Sequence, residues 1–135
     1  MGTRRKAREL AIQVLYQMEM KNAEPRAVFN LFWKVEEVTG DVSRFTTELV
    51  EGVYRNRKEI DQLIEKHSLH WKLPRMAVVD RNILRLGVYE LLYLHDVPTS
   101  VILNEAIEIA KRFGTEDSKS FINGVLDNVA KEVRK

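Results

Sequence analysis

The 135-residue chain is 44% hydrophobic and 31% charged, with 22 Lys and Arg against 20 Asp and Glu, and it has no cysteine. A chain of this length buries roughly 68% of the surface its unfolded form exposes, enough for a core without staples; the missing cysteines exclude disulfides and thiolate metal sites. A net charge of +2 excludes a histone-like polycation or a highly charged disordered tail, so any nucleic-acid surface must be a local patch.

No apolar run nears the ~20 residues needed to span a bilayer. The basic start is not followed by an apolar stretch of signal-peptide type. The expectation is one cytoplasmic domain spanning 1–135.

No segment alternates apolar and polar residues as a strand would, whereas apolar residues recur throughout at helical spacing. The expected fold is all-α, with seven helices. In the first, Ala7, Leu10, Ala11, Val14, Leu15 and Met18 form a stripe, with Thr3 as N-cap. The second opens near Pro25 and carries Val28, Leu31, Phe32, Val35 and Val38, with Gly40 as its stop. Asp41 or Ser43 caps a third helix bearing Phe45, Leu49, Val53 and Tyr54. The stripe resumes in a fourth with Ile60, Leu63, Ile64 and His67. Between them Arg55-Asn56-Arg57-Lys58 marks a break or kink, and a single continuous helix is the alternative.

Residues 68–75, including Trp71 and Pro74, read as a connector. The fifth helix, about Met76–Leu94, is apolar around most of its circumference, the mark of a central helix. The sixth is capped by Thr99 or Ser100, carries Val101, Ile102, Ala106, Ile109, Ala110 and Phe113, and ends with Lys111, Arg112 and a left-handed cap at Gly114. Asp117 or Ser118 opens the seventh, with Phe121, Ile122, Val125, Leu126, Val129 and Val133. Gly52, Gly87 and Gly124 fall inside helices, where each costs about 1 kcal/mol relative to Ala; close helix approach is the expected compensation.

Catalytic signatures are missing: no Gly-rich phosphate loop, no Gly-x-Ser-x-Gly elbow, no His-Glu-x-x-His pair. Glu65, His67 and His70 come nearest to a metal set but lack the usual third ligand. They read as a solvated or helix-capping group, and His95 as a surface residue. The expectation is no enzyme activity, no metal and no cofactor.

The charge signals point instead to binding. Arg4, Arg5, Lys6 and Arg8 place four cations at a helix N-terminus that is already positive, a cost that a phosphate partner turns into attraction. Tyr16, eight residues after Arg8, lies close to the same side. A second basic set comprises Lys72, Arg75, Arg81 and Arg85; Tyr89 continues the Arg81–Arg85 face, and Lys119 and Phe121 open the seventh helix. Cations interleaved with rings suit single-stranded RNA, where bases stack and cations hold phosphates.

Four blocks then carry a resemblance: Arg4-Arg5-Lys6-Ala7-Arg8-Glu9-x-Ala11-x-Gln13-x-Leu15-Tyr16; Asp80-Arg81-x-Ile83-Leu84-Arg85-Leu86-x-x-Tyr89-Glu90-Leu91; Asp96-Val97-Pro98 with Ile102-x-Asn104-Glu105-Ala106-x-Glu108-x-Ala110-Lys111; and Phe113-Gly114-x-x-x-Ser118-x-x-Phe121-Ile122-Asn123-Gly124-Val125-Leu126-Asp127. Together they resemble the bacterial antitermination factor family NusB from about residue 4 to 130. The resemblance implies an all-α, seven-helix fold of two packed helical bundles in one domain, without catalysis. It implies binding to boxA RNA of nascent transcripts, ribosomal RNA included, together with a small-subunit ribosomal protein acting as NusE, in an antitermination complex on RNA polymerase. By position it implies an RNA-contacting role for Arg4, Arg5, Lys6, Arg8 and Tyr16, for Asp80, Arg81 and Arg85, and for Asp117, Ser118, Lys119 and Phe121; Tyr89 joins the expected contacts through the face it shares with Arg81 and Arg85. Asp80 and Asp117 would meet bases, position cations or face the protein partner rather than touch phosphate.

Two alternatives belong to other classes. One is an RNA-modifying enzyme, for which the chain offers neither a cofactor domain nor a Cys nucleophile. The other is a helical protein-interaction module, acting as a homodimer, with only weak nonspecific RNA binding.

Overall fold

The computed structural model describes residues 2–69 and 71–135. Among them it contains seven α-helices and no strand: α1 (Thr3–Lys21), α2 (Pro25–Val35), α3 (Gly40–Arg55), α4 (Arg57–His67), α5 (Val78–Tyr93), α6 (Thr99–Phe113) and α7 (Ser118–Val133), with a 3-10 turn at Leu73–Arg75 before α5. None is long and apolar enough to cross a membrane. The chain forms two compact units, the first ending at Arg55 and the second beginning at Asn56.

In the first unit α1 packs chiefly on α3 and also on α2. Its expected stripe is buried throughout, and Val28, Phe32, Leu49 and Val53 are buried as well. Several local expectations are corrected. Gly2, not Thr3, holds the N-cap position of α1, and no side chain caps that end. Gly40 does not stop α2, which ends at Val35, but is the first residue of α3. The cap of α3 is Thr39 rather than Asp41 or Ser43: its Oγ1 accepts from the Val42 N–H at 3.4 Å and its carbonyl from the Ser43 N–H at 3.1 Å. Leu31 and Val35, counted into the α2 stripe, are 58% and 81% exposed. Phe29 is buried in their place and stacks on Trp33 with centroids 5.6 Å apart. Tyr54 is exposed too.

The helix break falls where the polar run predicts it. Asn56 leaves helical geometry between α3 and α4, with φ −109° and ψ 16°.

In the second unit α5 is central, packed against α7, α6 and α4, and nearly every residue from Asn82 to Leu91 is buried. Gly87 allows this close approach: a Cβ there would lie 2.8 Å from Leu126 Cδ1 of α7, so a larger residue would force that buried leucine to shift. Gly124 has open space around its would-be Cβ, which corrects the expectation of close approach there. Gly114 does not take the left-handed cap either; its φ is −97°. What requires glycine is the side chain of Ser118, because a Cβ at 114 would sit 2.5 Å from the Ser118 Oγ and 2.9 Å from the Ala110 carbonyl.

The last residues close this unit. The Arg134 guanidinium donates to the carbonyls of Glu90, Leu91, Leu94 and Val97 at 2.6–3.1 Å. One of them, Leu91, lies in the last turn of α5, where carbonyls run out of helical partners.

Candidate nucleic-acid interface

In the first unit, the basic start of α1 divides into two faces. Arg8 is 3% exposed, its guanidinium 5.8 Å from the centroid of the Phe45 ring. Arg4 is exposed but lies over the same ring at 4.5 Å, within cation–π range. At 100° per residue, eight positions separate Arg8 from Tyr16 by about 80° of helix surface. Tyr16 is 41% exposed, so the two do not share a side as expected. Arg5 lies within about 20° of Tyr16 and about 16 Å along the axis, and Lys6 is its half-buried neighbour. Arg5 and Tyr16 are therefore the cation and the ring nearest one line along α1, with Lys6 about 80° to the side away from Arg8, at a helix start with no acidic residue in its first turn.

In the second unit, several expected contact residues make bonds within the fold. Arg81 donates to the carbonyls of Leu73 and Met76 at 3.2 and 2.8 Å, holding the 3-10 turn against the start of α5. Arg85 grips Asp61 of α4 with two hydrogen bonds of 2.8 and 3.1 Å, its side chain only 11% exposed. Tyr89 is 7% exposed, its ring 5.4 Å from that of Tyr93. The Tyr93 hydroxyl donates to Glu59, with Asn56 Oδ1 3.1 Å away as a second acceptor within reach, and the Glu59 hydrogen bond raises its pKa above the ordinary tyrosine value. Tyr89 is thus a core ring, not an exposed stacking platform.

The remaining residues converge on the start of α7. Ser118 is buried. Its hydroxyl donates to Asp80 Oδ1 at 2.7 Å and accepts from the Thr115 N–H at 2.9 Å. Asp80 and Asp117 line one open cleft of about 280 Å³ with Phe121, Trp71, Arg75 and Met76. Lys119 is exposed on the first turn of the same helix. Trp71 and Met76 were not read from the sequence as part of a site. The signal available was Trp71 beside Lys72 and Arg75, the same interleaving of ring and cation that marks α1.

The nearest approach to a metal set resolves as an ion pair, with His67 Nε2 2.8 Å from Glu132 Oε1 and Lys66 Nζ at the same distance. Those bonds, Lys66 first, hold the Glu132 carboxyl below the ordinary glutamate value. His70 lies outside the described residues, among which no three metal-ligating side chains cluster. His95 is exposed.

Residues 5–131 match the NusB family model. The transcription antitermination protein NusB of Myxococcus xanthus is 49% identical over 100% of this chain and 99% of its own; that of Desulfatibacillum aliphaticivorans is 49% identical over 96% of this chain and 90% of its own. Among solved structures, T. maritima NusB superposes with a TM-score of 0.89 at 37% identity, covering 98% of this chain and 93% of that one. A crystal structure of antitermination factors NusB and NusE in complex with dsRNA matches with a TM-score of 0.89 at 31% identity, over 98% of each chain. This chain belongs to the NusB family.

Proposed function

We propose that the protein is a non-catalytic, RNA-binding transcription antitermination factor. It works in the cytoplasm with NusE, the ribosomal protein of the small subunit, on boxA elements of nascent transcripts, ribosomal RNA included, within an antitermination complex on RNA polymerase. The observation that supports this most is the full-length likeness to the NusB chain of the NusB–NusE–dsRNA structure. Each unit adds a surface of matching chemistry. Arg5, Lys6 and Tyr16 are offered by α1, while Asp117, Lys119 and Phe121 are offered at the start of α7. In this reading Arg8, Arg81, Arg85, Tyr89 and Ser118 support the fold that carries these groups, and Arg4 and Asp80 lie at the margins of the two surfaces.

The test is a titration of labelled boxA-type and scrambled single-stranded RNA with the protein alone and with NusE. Preference for boxA that strengthens with NusE is expected. About four phosphate contacts on a single strand give a slope of log K against log salt near −3. Equal binding to both RNAs in both settings would reduce the protein to a helical interaction module with generic affinity for RNA.

A further inference from the structure

The first unit holds an open cavity that the RNA-binding reading leaves unused. It lies between the end of α2 and the first half of α3, has a volume of about 550 Å³, and its walls include Trp33, Glu36, Glu37, Ser43, Arg44 and Thr47. That volume falls within the range of small-molecule sites. Its polar chemistry is one-sided. Arg44 is paired with Asp41, and both hydroxyls direct their hydrogens into the backbone: Ser43 donates to the Gly40 carbonyl at 3.1 Å and Thr47 to the Ser43 carbonyl at 2.8 Å. These oxygens therefore present lone pairs to the cavity. Glu36 and Glu37 add two carboxylates, neither with an ion-pair partner among the described residues.

The position of the two carboxylates is itself unfavourable. They follow Val35, the last residue of α2, at the helix end where the dipole is negative and a cation is preferred. A bound cation turns that cost into attraction. The ring adds to it. Trp33 is half-buried and held in place by Phe29, stacked nearly parallel at 5.6 Å, and by Phe32, edge-on at 5.1 Å. A fixed indole beside carboxylates suits a cationic group packed on the ring. That group is organic, because no three metal-ligating side chains cluster among the described residues and a bare ion would fill little of the space. An anion is repelled: with Asp41 counted, three carboxylates face the one guanidinium of Arg44.

We infer that this cavity binds a primary ammonium or guanidinium group carried on an alkyl chain, with Glu36 and Glu37 as its counter-charges and Trp33 as its packing surface. A lysine or arginine side chain of a partner protein carries such a group, and so does a free polyamine. The site lies wholly within the first unit, and the inference does not depend on RNA binding.

The chain has two tryptophans, so a Trp71→Phe protein reports on Trp33 alone. Spermidine, acetyl-Gly-Arg-Gly-amide and the uncharged acetyl-Gly-Gln-Gly-amide are titrated into it at low salt. Trp33 emission and the Trp33 indole N–H resonance are followed together. Both are expected to respond to the two cationic compounds along saturable isotherms and not to the uncharged one. Tighter binding of spermidine identifies a free polyamine as the source, and tighter binding of the arginine peptide a partner's side chain. Glu36→Gln with Glu37→Gln is expected to weaken the cationic compounds about 2- to 30-fold, the combined loss of two solvent-exposed ion pairs. Should the double variant not fold, either single variant is expected to show about the square root of that loss. No saturable response to either cation, an equal response to the uncharged peptide, or an affinity unchanged by the Gln substitutions would overturn the site.

Discussion

The Ser118 hydroxyl donates a 2.7 Å hydrogen bond to Asp80 Oδ1, joining the first turn of α7 to the first turn of α5 across 38 positions of sequence. The same oxygen accepts from the Thr115 N–H, so one buried hydroxyl fixes a loop, a helix start and a cleft carboxylate. Ser118→Ala is expected to cost about 1–3 kcal/mol, since it removes two hydrogen bonds of a buried hydroxyl, one of them to a carboxylate. Gly114→Ala is expected to cost a similar amount by overpacking. It should do so in the Ser118→Ala background as well, because a new Cβ would still meet the Cβ of residue 118 at 2.7 Å and the Ala110 carbonyl at 2.9 Å. Urea unfolding of the two single variants and the double variant checks this; full recovery in the double would place the whole clash on the hydroxyl.

Arg134 lies just past the last turn of α7, and its guanidinium meets four carbonyls and, at 3.4 Å, the Thr99 hydroxyl. Arg134→Ala is expected to destabilise the second unit by about 2–4 kcal/mol, as hydrogen bonds to a charged group are lost together. Arg134→Lys should recover little, because an ammonium lacks the planar fork that spans these acceptors. Thermal unfolding of both variants measures it, and a Lys variant as stable as wild type would show that charge alone suffices.

Periodicity carried the helices because burial in this fold is one-dimensional: Leu10, Val14, Ile102, Ile109, Ile122 and Val129 all sit where a stripe puts them, and all are buried. It failed where a partner far away in sequence decides. Arg85 looks like an exposed cation four residues from Arg81, but Asp61 claims it, and nothing local to α5 announces that. Tyr89 sits on the same face and is drawn into the core beside Tyr93. Reading Gly40 as the stop of α2 fails, because a glycine beside a helix boundary does not say which side of it the helix lies on; here it opens α3. Of the α7 site, Asp117 and Phe121 were legible by position, whereas Trp71 became visible only when the 3-10 turn brought it to the same cleft.

Glu132 gives a pH signature. Lys66 first and His67 second bond to its carboxylate and depress its folded-state pKa. A depressed carboxylate stabilises the fold above its unfolded value and loses that contribution as pH falls through the folded value. The urea midpoint of the wild type should therefore drop as pH falls through and below the ordinary glutamate value of about 4.5. Glu132→Gln should flatten that part of the curve, and added salt should shrink the difference because the pair is solvent-exposed. Parallel acid limbs in the two proteins would show that these contacts do not form in solution.

Salt dependence separates cations that hold RNA from those that hold the fold. Arg85 and Asp61 form a bidentate, largely buried pair. Arg85→Ala strands the Asp61 carboxylate and is expected to cost about 2–4 kcal/mol of stability, toward the lower end of buried-pair losses because Asp61 keeps some solvent. Lys119 is exposed at the start of α7, so Lys119→Ala should leave stability within about 0.5 kcal/mol. Its effect should appear in RNA binding: one fewer phosphate contact on a single strand lowers the magnitude of the log K–log salt slope by about 0.7. Folded Arg85→Ala protein, assayed well below its melting temperature, should keep the wild-type slope. If the slope falls with Arg85→Ala and not with Lys119→Ala, phosphate contact belongs to the interior pair and the division of roles drawn from the geometry is reversed.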